Sequence, residues 1–267
     1  MKKKLGFALG AGGSRGVAHI GFLKAMDEAG IKPDFIAGTS MGSVVGACYS
    51  AGYSPDFMKE EILKLKMGDI FDLSFNPIKD GALLRAQKMR KKLSTYFEEK
   101  RTIKELDIPF RCVSVNLANG KLVVFSGDDD VAESIATSST IPGVFKPVIK
   151  DGMILVDGGI KCRVPVDTAR SMGAEVVVAV DVLSGLRTGK EKYNYIGLML
   201  RAFDVMDDEI TNMKMKKQQP DLYLAPDLGD MSQFKFKDID KAIEIGYELG
   251  KANAKKIKRL VEIKEKS

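Results

Sequence analysis

The chain has 267 residues, of which 45% are hydrophobic and 29% charged, and its formal net charge is +6. These values are ordinary for a globular protein with a substantial core, and they exclude a fibrous or low-complexity chain. No apolar run approaches the roughly 18 residues that a membrane-spanning helix needs, so we expect a soluble, cytoplasmic protein with at most peripheral membrane contact. We predict one domain over residues 1–267, with its motifs at about residues 5–182 and a helical region at about residues 195–267.

The spacing of apolar residues predicts strands and helices that alternate along most of the chain. The predicted strands are 4–9, 34–37, 109–116, 121–126, 154–156, 175–180 and 222–225. The predicted helices are 16–29, one after Gly42 that ends at about 51, one that begins at Ser54-Pro55, and then 82–97, 132–139, 165–172, 195–217 and 239–264. This alternation is typical of a three-layer α/β/α sandwich with a mainly parallel central sheet.

The cysteines and the basic chain ends say little about chemistry. Cys48, Cys112 and Cys162 lie far apart and form no C-x-x-C pair, which favours buried free thiols in a reducing compartment over disulfides or zinc ligands. The lysines before 5–9 resemble the start of a signal peptide, but glycines interrupt the apolar run at once, so we interpret it as a buried strand. Residues 250–267 carry a local charge of +5, which we interpret as a solvated helix end, although such an end also attracts anionic lipid or nucleic acid.

A G-x-S-x-G pattern, Gly38-Thr39-Ser40-Met41-Gly42, lies between a predicted strand and a predicted helix. This is the setting of a nucleophile elbow, in which Gly38 and Gly42 remove Cβ atoms that would clash in a tight turn. The hydroxyl of Ser40 is then held at a helix N-terminus, where free N–H groups stabilise developing negative charge. A capping serine in a simple strand-to-helix turn is the structural alternative, and the pattern alone does not separate the two.

A glycine-rich segment, Gly10 to Gly16, follows the first predicted strand. Its glycines expose backbone N–H groups that can bind an anion, either a phosphate or the oxyanion of acyl transfer. The candidate oxyanion-hole residues are Gly10, Gly12, Gly13, Ser14 and Arg15. A nucleotide loop is disfavoured, because Gly16 is not followed by Lys-Ser/Thr and because Arg15 occupies the third glycine position of G-x-G-x-x-G.

Asp157 begins a third segment, Asp157-Gly158-Gly159, directly after the apolar run 154–156. The carboxyl ends of parallel strands share one edge of a sheet, so we expect Asp157 and Ser40 to meet there. The single histidine, His19, precedes Ser40, and no histidine follows it to complete a triad in the Ser-acid-His order. A buried carboxylate with a raised pKa can act as the base instead, which predicts a Ser40–Asp157 dyad and a core or supporting role for His19.

Together these segments closely resemble the patatin-like phospholipase family, bacterial type, over about residues 5–182. Residues 138–145, Ser-Ser-Thr-Ile-Pro-Gly-Val-Phe, are similar to the family's serine-rich turn. The resemblance implies that Ser40 attacks a lipid ester carbonyl, that Asp157 takes its proton, and that the loop containing Gly12 and Gly13 holds the oxyanion. It implies phospholipids, lysophospholipids or simpler lipid esters as substrates, and a mechanism that needs no metal or other cofactor.

Two features qualify this expectation. Lys161 and Arg163 stand where the family often carries Asn before a proline, and two cations there would lower the pKa of Asp157 or bind a lipid head group. Residues 62–97 combine apolar and basic side chains, which we interpret as a mobile cover over an acyl groove that touches anionic membrane, with core packing as the alternative. The apolar residues concerned are Leu63, Leu65, Met67, Ile70, Phe71, Leu73, Phe75, Ala86, Met89, Leu93 and Phe97.

Two other classes of protein remain open from the sequence. One is a non-catalytic lipid-binding or regulatory protein with the same fold, and the other, less favoured, is a nucleotide-binding protein. We expect no nucleic-acid partner. The sequence leaves the acyl chain length, the head group, the ester position and the oligomeric state open.

Overall fold

The computed structural model describes residues 2–70, 72–76, 81–185, 195–233 and 238–262. Its strands are β1 (Leu5–Leu9), β2 (Phe35–Gly38), β3 (Ala82–Leu84), β4 (Phe110–Asn116), β5 (Lys121–Phe125), β6 (Gly143–Phe145), β7 (Val148–Lys150), β8 (Met153–Asp157), β9 (Val176–Val180) and β10 (Leu222–Leu224). Its α-helices are α1 (Ala18–Glu28), α2 (Met41–Ser50), α3 (Pro55–Lys64), α4 (Met67–Ile70), α5 (Gln87–Ser94), α6 (Val131–Ser138), α7 (Val166–Ser171), α8 (Tyr195–Gln218) and α9 (Ile239–Val261). Short 3₁₀ helices cover Gly13–Val17, Ile103–Glu105 and Gly158–Ile160.

One large sheet organises the molecule, with strand order β10-β9-β1-β2-β4-β8-β7 and with β5 also paired to β4. The pairs from β10 to β4 are parallel, whereas β5 and β8 are antiparallel to β4 and β7 is antiparallel to β8. Helices cover both faces of this sheet. The predicted α/β sandwich with a mainly parallel central sheet is therefore confirmed.

The two faces of the sheet carry different cores, because successive side chains of a strand point to opposite faces. On β1, Phe7 and Leu9 belong to the larger core, which α1, α2 and α9 complete. Ala8 belongs to a smaller core formed with α7 and with Met215 of α8. Helices α3, α5 and α6 also pack against the larger core.

β4 brings the C-terminal ends of β2 and β8 close together. Cys112 of β4 pairs with Gly38 at the end of β2, and Ser114 pairs with Asp157 at the end of β8. β5 pairs with the same part of β4 and occupies its other edge, so β2 and β8 share one edge and approach each other end to end. Their C-terminal residues are then separated by about two residues of β4, or roughly 7 Å.

This arrangement corrects the reason for which Asp157 was expected near Ser40. β8 is not one of the parallel strands whose carboxyl ends share an edge of the sheet. It runs in the opposite direction and covers only the second half of β4, because β2 stops at Gly38. The end of β8 therefore meets the end of β2 beside the middle of β4.

Several element boundaries differ from the predictions. The helix expected at 16–29 begins with the 3₁₀ helix Gly13–Val17 and becomes α-helical at Ala18. The helix expected at 82–97 is instead β3 followed by α5, because β3 pairs in parallel with β6 and Ala86 adopts a left-handed φ of 61°. Strands of three residues, such as β3, β6 and β7, are too short to show a period in sequence. The helix expected at 239–264 is described as far as Val261.

The three cysteine thiols are free, with Cys112 and Cys162 buried and Cys48 partly exposed. In the part of the chain that the structure describes, no helix is both long enough and apolar enough to cross a bilayer. The same residues contain no group of three or more His, Cys, Asp and Glu side chains that could hold a metal ion.

Candidate active site

Ser40 lies in a strained turn between β2 and α2. Its φ of 53° and ψ of −127° fall in a region that residues other than glycine rarely adopt. Two glycines permit this turn: a Cβ atom on Gly38 would lie 2.5 Å from Cα of Ser43, and one on Gly42 would lie 2.3 Å from the carbonyl oxygen of Leu9. The backbone thus has the features of a nucleophile elbow, with Ser40 at the N-terminus of α2.

Ser138 supports this turn from the end of α6. The amide of Ser40 donates a hydrogen bond to Oγ of Ser138 at 3.0 Å, and that hydroxyl donates to the carbonyl oxygen of Val113 in β4 at 2.7 Å. The serine therefore ties the elbow to the central strand. The sequence indicates only that Ser138 belongs to a family-like turn, because a small polar residue gives no sign of which backbone group it will contact.

Asp157 is 4% exposed, and the hydroxyl of Ser40 lies close enough to its carboxyl group to influence the pKa of Asp157. The amide of Gly159 donates to its Oδ1 at 2.7 Å. Burial raises the pKa of Asp157 to about 7, while the Ser40 hydroxyl and the Gly159 amide offset part of the rise and the negative charge of Asp207 adds to it. A carboxyl group with this pKa can exchange a proton near neutral pH.

The amides of the glycine-rich segment differ in whether they already have a hydrogen-bond acceptor among the described residues. Three of the five candidate amides already donate to backbone carbonyls: those of Gly10, Ser14 and Arg15, to Val180, Gln233 and Gly12 respectively. Within the described residues, the amides of Gly12 and Gly13 have no acceptor, and Gly13 lines the same cavity as Ser40. The set of candidate oxyanion donors therefore narrows from five residues to Gly12 and Gly13.

His19 of α1 contacts the start of the glycine-rich segment. Its ring is fully buried in α1, and Nε2 lies 2.8 Å from the carbonyl oxygen of Gly10. Burial lowers the pKa of His19 to about 4, so the imidazole is neutral at pH 7 and donates its Nε2 proton to that carbonyl. This position agrees with the core or supporting role expected for His19.

The two cations that follow Asp157 do not act as expected. The pKa of Asp157 is raised by burial and is not lowered by a neighbouring cation. The Arg163 guanidinium is 3% exposed and pairs with the carboxylates of Asp181 at 2.8 Å and Asp207 at 3.0 Å. The Lys161 ammonium donates to a backbone carbonyl in the β4–β5 hairpin. Arg163 is thus enclosed by protein carboxylates and is not placed to bind a lipid head group.

An apolar cavity of about 570 Å³ extends from Ser40. One wall is the face of α2 that carries Met41, Val44, Val45 and Cys48. The opposite wall comes from segment 62–97, and its contributors include Ile62, Leu65, Ile70, Leu84, Met89 and Leu93.

The apolar residues predicted to form a cover divide into separate groups. Leu65, Ile70, Met89 and Leu93 line the cavity, and Ala86 and Phe97 are buried beside it. Leu63, Leu73 and Phe75 are exposed. Phe71 and the side chain of Met67 lie outside the described residues.

Replacing Asp157 with Asn is expected to remove part of the pH dependence of stability. A carboxyl group whose pKa is raised by folding stabilises the fold while it is protonated, and this contribution is lost as the pH rises through about 7. For a rise from 3.8 to about 7, the loss between pH 5 and pH 8 is on the order of 2–3 kcal/mol. Urea unfolding of the wild type and Asp157→Asn at pH 5 and pH 8 measures this loss of unfolding free energy.

The exposed Asp151→Asn is the matched control for this experiment and should keep the wild-type dependence. Asp151 lies in the turn between β7 and β8. If the wild type and Asp157→Asn lost the same stability between the two pH values, Asp157 would not be the buried acid described here.

The sequence is similar to a known protein family and to proteins from animals and fungi. A family model described as "Patatin-like phospholipase" matches residues 7–170. The human patatin-like phospholipase domain-containing protein 6 is 28% identical over 279 residues, which cover 93% of this chain and 20% of that protein. Lysophospholipase nte1 of Aspergillus fumigatus is 26% identical over 285 residues, which cover 96% of this chain and 18% of that protein. The chain thus spans about a fifth of the length of these curated relatives.

Solved structures share the fold at low sequence identity. VipD from Legionella pneumophila has a TM-score of 0.56 at 12% identity, with 96% of this chain and 67% of that chain covered. ExoU from the type III secretion system of Pseudomonas aeruginosa has a TM-score of 0.52 at 13% identity, with 98% and 53% covered. The bacterial type stays a prediction, since the sequence relatives named above are human and fungal. The family match covers more than half of the sequence, and the chain therefore belongs to the patatin-like phospholipase family.

Proposed function

We propose that this chain is a serine-dependent lipid acyl hydrolase that cleaves carboxylic esters of phospholipids, lysophospholipids or related lipids. The observation that carries the proposal is the placement of the Ser40 hydroxyl next to the buried Asp157 carboxyl, at the joined ends of β2 and β8 and beside an apolar cavity. Membership of the patatin-like phospholipase family and similarity to a protein named lysophospholipase support a lipid ester as the substrate.

In the proposed reaction, ionised Asp157 accepts the hydroxyl proton of Ser40 as Oγ attacks the ester carbonyl carbon. The carbonyl oxygen becomes an oxyanion, which the amides of Gly12 and Gly13 stabilise. Collapse of this intermediate expels the alcohol, which takes the proton from Asp157 and leaves an acyl group on Ser40. A water molecule then attacks the acyl-enzyme with Asp157 again as base, which releases the fatty acid and restores the hydroxyl of Ser40.

Ser40→Ala and Asp157→Asn are each expected to lower kcat/KM for p-nitrophenyl butyrate by roughly a thousandfold or more, because nucleophile and base act as a unit. In the wild type, kcat/KM should rise with pH and level off above about 7, since Asp157 must be ionised to accept the proton. Steady-state rates from pH 5 to pH 9 test both statements.

Ser94→Ala and Asp151→Asn are the matched controls, because both residues are exposed, and both variants should keep wild-type rates. Full activity of folded Ser40→Ala or Asp157→Asn would overturn the dyad. A folded wild type that is inert towards esters and phospholipids alike would favour the non-catalytic lipid-binding alternative.

The cavity is proposed to hold the fatty acyl chain along α2. Met41 and Cys48 both line it and are seven residues apart, so this wall extends about 10 Å from the neighbourhood of Ser40 at about 1.5 Å per helical residue. An extended alkyl chain with C–C bonds of about 1.5 Å advances about 1.3 Å per carbon, so Cys48 lies near the eighth carbon. Tyr53 and Phe57 also line the cavity.

Cys48→Phe is expected to shorten the acyl chain that the enzyme accepts, because the ring would fill the cavity at that depth. The ratio of kcat/KM for the dodecanoate ester to that for the butyrate ester should fall about tenfold or more. Cys48→Ala is the matched control and should leave the ratio close to the wild-type value. An unchanged ratio in Cys48→Phe would mean that the chain does not follow α2.

Part of segment 62–97 is proposed to contact the membrane, with the segment acting as a cover over the cavity. Leu73 is 77% exposed and Phe75 is 88% exposed. The guanidinium of Arg85 lies 4.0 Å from the centre of the Phe75 ring. Large exposed apolar side chains beside a cation suit the interface of an anionic bilayer.

The double variant Leu73→Asp/Phe75→Asp is expected to bind vesicles of phosphatidylcholine and phosphatidylserine about tenfold more weakly, because charged side chains replace the inserted apolar ones. Cosedimentation measures this binding, and activity on the soluble butyrate ester should remain unchanged. Met213→Asp is the control, since Met213 is 56% exposed on α8, the helix that packs against the smaller core through Met215. Equal vesicle binding by all three proteins would mean that Leu73 and Phe75 do not contact the membrane.

A further inference from the structure

Arg163 lies at the centre of a buried ionic cluster behind the candidate active site. Its guanidinium is 3% exposed and pairs with Asp181 at 2.8 Å, with Asp207 at 3.0 Å and with Asp208 at 3.4 Å. Asp181 directly follows β9 and is fully buried, while Asp207 and Asp208 belong to α8. The side chain of Arg163 therefore attaches the segment after Asp157 to two other elements of the fold.

The main chain of the same segment contacts both loops of the candidate site. The carbonyl oxygen of Arg163 accepts a hydrogen bond from the amide of Ala11, in the glycine-rich segment, at 2.9 Å. The carbonyl oxygen of Cys162 accepts one from Oγ1 of Thr39 at 3.0 Å, and Thr39 immediately precedes Ser40. Two adjacent carbonyl groups thus hold the oxyanion loop and the elbow relative to each other.

The ionic cluster makes this attachment rigid. Asp181 receives two further hydrogen bonds, from the hydroxyl of Tyr223 at 2.7 Å and from the amide of Leu183 at 3.0 Å. Buried carboxylates that lose their cation repel each other and pay the cost of desolvation without compensation. The position of Arg163 is therefore fixed from several directions at once.

We propose that Arg163 is a positioning residue for acyl transfer: its buried guanidinium fixes the backbone of residues 162–163, which sets the distance between the oxyanion loop and Ser40. This inference rests on the proposed function. The guanidinium does not act on the substrate, because it is enclosed by carboxylates and Arg163 is not among the residues that line the apolar cavity.

The test compares kcat and KM for p-nitrophenyl butyrate in the wild type, Arg163→Met and Arg163→Lys. Arg163→Met is expected to lower kcat about 10- to 100-fold, because small displacements of reacting groups are costly, and to leave KM within about twofold. Arg163→Lys should retain part of the lost kcat, since it keeps a cation among the carboxylates. A purely structural role would lower the fraction of folded enzyme without this selective loss of kcat per folded molecule.

Arg170→Met is the matched control. Arg170 also forms an ion pair, with Asp221 at 2.5 Å, but it lies on α7 with about a third of its side chain exposed and contacts neither loop. Its kcat and KM should equal those of the wild type. A loss of kcat in Arg170→Met similar to that in Arg163→Met would overturn the assignment to Arg163.

Thr39→Val provides a second test that leaves the buried charges in place. It removes only the hydrogen bond to the carbonyl of Cys162, and we expect kcat to fall about tenfold with KM unchanged. The rate at which a fluorophosphonate labels Ser40 should fall in parallel. If Arg163→Met does not fold, Arg163→Lys and Thr39→Val decide the question.

The outcomes separate this inference from the proposed function. If the wild type is active and Ser40→Ala is inactive, the hydrolase stands, and wild-type kcat in Arg163→Lys and Thr39→Val would then overturn the positioning role alone. A rise in KM without a change in kcat would also overturn it, because Arg163 would then act on binding. A wild type inert towards both the esters and the fluorophosphonate would overturn both.

Discussion

The pairing of two opposed strands on one edge of β4 is the constraint on which the rest of the candidate site depends. β2 ends at Gly38 and β8 ends at Asp157, and their partners on β4 are only two residues apart. The turn that follows β2 carries Ser40 up to the carboxyl group that ends β8. A serine and an acid more than a hundred residues apart in sequence are therefore set in contact by backbone hydrogen bonds, which leave little freedom in their separation.

Burial then decides what this pair can do. An exposed aspartate near neutral pH is a weak base, whereas burial raises the pKa of Asp157 to about 7 and gives it a greater affinity for the serine proton. The same burial lowers stability at neutral pH, since the ionised carboxylate is held where water is scarce. The left-handed backbone of Ser40 adds strain at the same place. Both costs are concentrated where the proposed chemistry needs them.

A set of neutral and ionic contacts holds the strained turn and the loops around it in place. Neutral His19 binds the carbonyl of Gly10, Ser138 binds the amide of Ser40, and the carbonyls of residues 162–163 bind the glycine-rich loop and Thr39. These contacts orient the loop and the elbow, and among the described residues they leave the amides of Gly12 and Gly13 without an acceptor. On the other side of Ser40 the cavity is almost entirely apolar, which suits an acyl chain.

The sequence by itself determined the fold class, the strand-to-helix setting of Ser40 and the segments that would meet, because these follow from local periodicity and from the glycines that tight turns require. It did not determine that β8 is antiparallel to β4, that three-residue strands replace part of a helix, or which loop amides find an acceptor among the described residues. Nor did it reveal that Arg163 faces Asp181 and Asp207 and does not lower the pKa of Asp157. These features depend on pairings between residues distant in the chain, and only the tertiary structure fixes which partner each buried polar group meets.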